Sequence, residues 1–513
     1  MSQETLSRLE RTSEQPDGRA LAVLPFVAIF ATALAGLVAA NIVSVRQFIG
    51  FGMLPLLATL WQAGKTRRAL IENRNPSALM LALAGALITL TYGIRSYTGS
   101  SARLLLLAIA LLMLAKRISA ARVAHLLPVP GVLVVVGETV AGAPTSAEII
   151  VGVTTFCLWL LILKPLAATQ ILETLRNSLL LAVSIILVAF AAGVSRPYTR
   201  WYRFDANTVE SRGGLTSFRW YLPLSGSWEP PAVLAVVLGL VSITLLLSSG
   251  QRQRYLSIAG FLVSFVTVFG VNGRTAELVL VGGALGIAVG IRARWTRFLM
   301  VIPATAFMFL PLIYSALSFI AQQTSALAVN SGVAASSSKF STLEGRTYVW
   351  DTSLRVFSEA PLIRKLLGYG ANGYITSGAS GIYSQQFYGS AGSGGYRVSY
   401  YDTHNLVLGT LLSHGLFGIV VLLVAWVAAL RRALSRVEGL GWAPPLIGAW
   451  VFGSMSSTST SCTPSNATYG IITAVLLTIP FLEKHEVPVS DRDAAGSGRT
   501  GKRTKTLGSV RLR

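Results

Sequence analysis

Acidic residues are scarce in this chain, and that scarcity excludes more chemistry than any other feature. Asp and Glu total 21 of 513 residues, against 43 Lys and Arg. No convincing pair of carboxylates falls on one predicted water-facing loop, so a transferase that grips its donor through a metal ion lacks its ligand set. Asp351 or Asp402 alone would hold a cation weakly. Cysteine is nearly missing: Cys157 lies in an apolar run and Cys462 just beyond another, a spacing that offers neither a disulfide framework nor a zinc site. There is no Gly-rich loop ending in Gly-Lys-Ser/Thr and no His-Glu-x-x-His, so the common nucleotide and zinc-peptidase signatures are excluded. Only 12% of residues are charged, where a soluble domain carries about 25%.

What the chain has instead is apolar length. It is 52% hydrophobic, with a mean hydropathy of +0.60. Apolar runs of the length a bilayer core requires recur along most of it. They predict an all-α, polytopic membrane bundle of about 14 transmembrane helices, at 20–40, 42–62, 77–94, 102–119, 123–141, 148–164, 175–194, 231–249, 257–271, 275–291, 298–319, 406–430, 443–457 and 469–482. Charge placement supports this and sets the orientation. With a cytoplasmic N-terminus, the short cytoplasmic loops and adjoining span ends hold 17 Lys and Arg, including Arg176, Arg252, Arg254 and Arg297. The short outer loops hold 4: Arg46, Arg95, Arg103 and Arg274. The net charge of +22 therefore reflects topology, and no nucleic-acid partner is implied.

Three regions follow. Residues 1–19 form a cytoplasmic N-terminal tail, 20–482 the transmembrane domain, and 483–513 a basic, aromatic-free, disordered cytoplasmic tail beside anionic headgroups. Two loops are long, and both fall on the outer side: 195–230 and 321–403. The first is rich in Trp, Tyr and Arg, among them Trp220. It reads either as an interfacial aromatic belt or as a surface for stacking sugar rings. The second carries an amphipathic helix from Thr347 to Glu359, with Trp350, Leu354 and Phe357 at helical spacing. Pro361 ends it, and Gly368-Tyr369-Gly370 follows. This helix is expected on the outer membrane surface, and the Gly/Ser/Tyr-rich stretch 373–395 is expected to be a mobile flap.

The candidate site residues lie at the outer edge of the spans. Arg274 follows Asn272-Gly273 and opens an apolar span. It is either a helix-end arginine paired with Glu277 or a permanent cation whose fork matches a phosphate. Arg346 precedes the loop helix and is either paired with Glu344 or Asp351, or aimed at the membrane mouth. His404 sits where the loop runs into a span. It is either a structural histidine that donates to a neighbouring carbonyl or a general base, since an imidazole with an ordinary pKa of about 6.5 can accept a proton near neutrality. Asp402 or Asn405 would orient it, or cap the helix. His414 lies about 15 Å further along that helix and reads as a packed histidine.

Three local patterns in order resemble the bacterial O-antigen ligase and polysaccharide polymerase superfamily: Asn272-Gly273-Arg274; then Gly345-Arg346, Trp350, Pro361 and Gly368-Tyr369-Gly370; then His404-Asn405 with Leu408, Leu411 and Gly415-Leu416-Phe417-Gly418. The likeness covers roughly 257–430. It implies a GT-C-like membrane glycosyltransferase of the bacterial cytoplasmic membrane, with both termini cytoplasmic and its active site facing outward. The implied donor is a polyprenyl-diphosphate-linked oligosaccharide, and the acceptor a hydroxyl on a glycan, lipid or protein. Transfer proceeds with inversion, and neither metal nor cofactor is implied. Arg274 and Arg346 would hold the diphosphate and His404 would activate the acceptor, with Asn405, Asp402, Trp350 and Tyr369 in support. The family commonly has about 12 spans, against 14 here. The rival class is a flippase of lipid-linked sugars. It would call for internal repeats and charges near the bilayer midplane, and neither is evident in the sequence.

Overall fold

The computed structural model describes residues 78–98, 106–110, 113–114, 158–159, 162–163, 166, 168–194, 210–211, 218–220, 222–224, 229–248, 251–291, 293–314, 344–370, 373–382, 403, 405–435 and 440–455. Apart from a two-residue antiparallel pairing of β1 (Glu210–Ser211) with β2 (Phe218–Arg219), its regular elements are helices. Four are long and apolar enough to cross a membrane: 168–191, 230–248, 254–271 and 406–433. Apolar helices at 78–91 and 295–308 are shorter. The predicted spans at 20–40, 42–62, 123–141 and 469–482 lie outside the described residues.

The centre of the bundle is α3 (Glu229–Ser248). It packs against α2 (Ala168–Ala191), α4 (Gln251–Val271), α5 (Arg274–Gly290) and α11 (Ala443–Ser454). Burial on all sides explains why its sequence is apolar all round and shows no polar face. Small residues let α3 and α4 approach closely. Gly239 lies against Ser264 and Gly260 against Ser242, and Ser264 Oγ donates to the Ala235 carbonyl at 2.5 Å. α1 (Ala78–Thr98) packs on α2 in the same way, with Gly85 against Ser178 and Trp159.

Two arginines counted as cytoplasmic loop charge are built into the fold. Helix α2 begins at Ala168, several residues before the predicted span, so Arg176 lies inside the helix and is fully buried. Its Nη1 donates to Ser257 Oγ of α4 at 2.9 Å, and its Nε and Nη2 to Asn177 Oδ1 at 3.1 and 3.0 Å. Arg297 ends the 3-10 turn Arg294–Arg297, which leads into α6 (Phe298–Met308). It stacks over Trp442 at 4.2 Å and donates to the Ala433 and Ser435 carbonyls, at the end of α10 (Leu406–Ala433). Carbonyls at a helix C-terminus are left without intrahelical donors, so a buried guanidinium there acts as a helix terminus cap.

In the first long loop, Trp220 is buried rather than presented as a stacking platform. Its ring covers Gly270 and lies 5.4 Å from the Phe190 ring, and its backbone N–H donates to the Gly270 carbonyl at 2.7 Å. A residue that plugs the bundle this way serves packing.

Candidate functional site

The second long loop contributes α7 (Glu344–Glu359), α8 (Leu362–Leu367) and α9 (Gly373–Thr376). All three pack against α10. Helix α7 is amphipathic as its spacing requires, but its apolar face meets protein where lipid was expected. Val349 and Trp350 are buried with Leu408, Leu411 and Leu412 of α10, and Tyr314 lies edge-on to Trp350 at 6.2 Å. The Trp350 indole N–H finds no acceptor among the described residues. The outer face of α7 carries exposed Asp351, Arg355 and Glu359. Partial desolvation holds the Asp351 carboxyl above its usual pKa.

Helix α10 breaks at Gly415, where φ is 61° and ψ −160°. Only glycine adopts this conformation without strain. The loop is fastened to the break through the backbone. Tyr369 N–H donates to the Leu412 carbonyl at 2.8 Å, Gly370 N–H to the Ser413 carbonyl at 3.0 Å, and Gly373 N–H to Ser413 Oγ at 3.3 Å. The first two acceptors are carbonyls of the last turn before the break, the groups a helix end leaves to be satisfied from outside. The approach is close from both sides. A Cβ on Gly368 would strike the Ser413–His414 backbone, and one on Gly415 would strike the Lys365–Leu366 backbone. Gly368 has φ 78° and ψ −166°, again a glycine conformation. Arg364 lies over the Tyr369 ring at 5.4 Å. Gly373 is buried and pressed against Leu412, so the stretch expected to be a flap begins as a docked helix; 383–395 lies outside the described residues.

At the other end of that half-helix, Asn405 is the N-cap. Its side-chain oxygen accepts from Leu408 N–H at 3.1 Å, and its Nδ2 donates to the Met308 carbonyl of α6 at 3.3 Å. Thr403 is fully buried, and its hydroxyl donates to the Asn405 carbonyl at 2.9 Å. Asn405 is thus a cap, one of the two roles the sequence allowed. His404 and Asp402 lie outside the described residues. His414 is buried as expected, with Gly418 against it.

Trp350, Tyr369 and Asn405 therefore converge on the first half of α10. Arg346 lies one turn before Trp350 on α7 and is half-buried. Arg274 belongs to a different packing unit: it opens α5, whose main partners are α3 and α11, and it is exposed. It is positioned by a tight turn in which Asn272 takes a left-handed conformation (φ 50°) and Gly273 caps α5. Among the described residues, no group of three His, Cys, Asp or Glu side chains is placed to hold a metal ion.

Residues 259–423 match the family model described as O-antigen ligase. This stretch of the chain is an O-antigen ligase domain. No curated protein and no solved structure matches the chain. The O-antigen ligase domain runs from within α4 to within α10, so it takes in the Asn272-Gly273-Arg274 turn, Arg346, the whole junction of loop and broken helix, and the entry to α10 at 403–405. With the apolar helices, it supports a multi-pass membrane protein with an O-antigen ligase-like, glycan-handling function.

Sequence reasoning missed the break at Gly415 and the fastening by Gly368 to Gly373. The signal was present as a glycine inside an apolar helical run, opposite a Gly-x-Gly in a loop.

Proposed function

We propose that this protein is a membrane glycosyltransferase of the surface-polysaccharide ligase or polymerase type, working at the outer face of the bacterial cytoplasmic membrane. The observation that carries this reading is the extent of the O-antigen ligase domain, which spans Arg274, Arg346 and His404 together. The donor is a glycan on a polyprenyl diphosphate, and the acceptor is a hydroxyl on a glycan, lipid or protein. Both termini are cytoplasmic, 20–482 forms the membrane domain, and loops 195–230 and 321–403 face outward.

In the reaction, the acceptor oxygen bonds to the anomeric carbon as the bond from that carbon to the diphosphate oxygen breaks, with inversion. The hydroxyl proton passes to the imidazole of His404, and the electron pair leaves with the diphosphate. Charge on the leaving group grows in the transition state, so the guanidinium groups of Arg274 and Arg346 stabilise that state more than the bound donor and do the work a metal would otherwise do. A base on the face opposite the leaving group removes the proton as the bond forms. Asn405 anchors the segment next to His404, since it caps α10 and bonds to α6. Asp402 orients the imidazole, and Trp350 and Tyr369 hold the loop in place.

The test is His404→Ala, followed by gel analysis of glycan product and by localisation of lipid-linked precursor. Transfer is expected to be lost while precursor still accumulates at the outer face. Normal transfer would remove His404 from the mechanism. Precursor retained on the cytoplasmic side would point to a flippase instead.

A further inference from the structure

Among the described loop helices, α8 turns a continuous apolar edge away from the protein. Leu362, Ile363 and Leu366 are 72%, 52% and 43% exposed. At 3.6 residues per turn, these positions fall within an arc of about 100°. Between them in sequence stand Arg364 and Lys365, both half-buried, on the remaining sides of the helix. Helix α7, its neighbour, does the opposite: its apolar residues are buried on α10 and its exposed face is polar.

The position of α8 in the fold says what covers this edge. Its last turn rests on Gly415 of α10, where a Cβ would meet the Lys365 and Leu366 backbone. Immediately beyond Gly415, α10 exposes Leu416, Phe417 and Val420, then Val424 and Val427. On a helix long and apolar enough to cross the bilayer, that stripe is lipid-facing. The apolar edge of α8 therefore adjoins the lipid-facing stripe of α10 at the break. Cationic side chains beside an apolar edge suit the headgroup layer, where the stems lie along apolar surface and the charges meet phosphate.

We propose that α8 is seated in the phospholipid leaflet, with Leu362, Ile363 and Leu366 among the acyl chains and Arg364 and Lys365 at the phosphates. This fixes the junction of the loop with broken α10 at headgroup depth. Seating in lipid does not require the transfer chemistry, so its failure and the failure of the glycosyltransferase reading are distinguishable.

The experiment uses the full chain in phospholipid vesicles, with Cys157 and Cys462 replaced by Ser. Single cysteines at 362, 363, 366 and 358 carry a nitroxide spin label. Ser358 is exposed on the polar face of α7 and serves as the aqueous reference. At 362 and 363, collisions with oxygen should exceed those with a water-soluble nickel chelate, and the order should reverse at 358. Nickel access at 362 and 363 equal to that at 358 would overturn the proposal, because the edge would then face water. Low access to both reagents would also overturn it, because the edge would then be covered by protein. A membrane-impermeant maleimide gives a second reading on the unlabelled cysteines. Slow reaction at 362 and fast reaction at 358 support the seat, and equal rates refute it.

Discussion

The backbone N–H of Tyr369 donates to the carbonyl of Leu412 across 2.8 Å, joining the second long loop to a membrane helix at the point where that helix breaks. The bond needs two glycines that no other residue replaces well. Gly368 and Gly415 each hold a positive φ with an extended ψ; Gly368 faces the Ser413–His414 backbone and Gly415 the Lys365–Leu366 backbone, with no room for a Cβ at either. The family match covers both partners, so the junction belongs to the domain and not to a peripheral insertion.

Gly415→Ala and Gly368→Ala are therefore expected to be severe. Backbone strain in this region costs about 1–3 kcal/mol, and forcing a methyl into a filled space costs another 1–3 kcal/mol or so. Two further glycines separate these terms. Gly378 has φ 81° but nothing within 4 Å of a Cβ, so Gly378→Ala should show the strain alone. Gly381 has neither problem, and Gly381→Ala should be nearly neutral. Thermal unfolding in detergent ranks the four. A Gly415→Ala protein as stable as Gly381→Ala would show that the break is not fixed as described.

Asn405 allows a structural role to be divided into its two bonds. Asn405→Asp keeps the acceptor for Leu408 N–H and loses the donor to the Met308 carbonyl; Asn405→Ala loses both. Loss of the cap costs about 1 kcal/mol. The Asp variant also places a carboxylate in a buried setting against a carbonyl, which disfavours it despite the retained cap. Stability should therefore fall in both. If Asp matches wild type, the tie between α10 and α6 contributes nothing.

Much of the architecture could be read from the sequence because apolar runs and helix signals are local. The predicted spans 231–249 and 406–430 correspond to the helices Glu229–Ser248 and Leu406–Ala433, which are long and apolar enough to cross a membrane, while 275–291 and 443–457 are the shorter helices Arg274–Gly290 and Ala443–Ser454. Asn272-Gly273 ends one helix and starts the next as its turn chemistry requires. What could not be read was long-range. Arg176 counts as a loop charge until α2 is seen to begin at Ala168 and Ser257 and Asn177 are seen to receive its hydrogens. The apolar face of α7 has the same pattern whether lipid or α10 covers it, and only packing decides. The glycines of the junction show their meaning only in pairs, since each is required by the backbone of the other.

The Arg176–Ser257 pair predicts a measurable coupling. Buried hydrogen bonds to charged groups are worth about 1.5–3 kcal/mol in soluble proteins, but coupling between membrane helices averages nearer 0.6 kcal/mol. Ser257→Ala should lose an amount in that range. Arg176→Ala should lose more, because it removes a large buried side chain and leaves the Asn177 oxygen without its two donors. A double-mutant cycle on unfolding of Arg176→Ala and Ser257→Ala isolates the bond between α2 and α4. A coupling of zero would mean that Ser257 only fills space beside the guanidinium.

Arg346 and Arg355 lie on the same helix and provide a matched comparison for the diphosphate assignment. Arg346 is half-buried one turn before Trp350, and Arg355 is exposed on the polar face. A donor aimed at developing negative charge is worth about 2.7–4 kcal/mol, or 10²–10³ in rate. Arg346→Ala should lower transfer by that order. Arg346→Lys should restore only part of it, because an ammonium keeps the charge and lacks the fork that spans two phosphate oxygens. Arg355→Ala should transfer as wild type, which controls for a general loss of positive charge from the loop. Transfer is measured in membranes with matched protein levels, and thermal unfolding is followed in parallel. An equal loss in Arg346→Ala and Arg355→Ala would reduce the role of Arg346 to loop electrostatics. Full activity in Arg346→Ala would remove it from the site and leave Arg274 as the remaining candidate for the diphosphate.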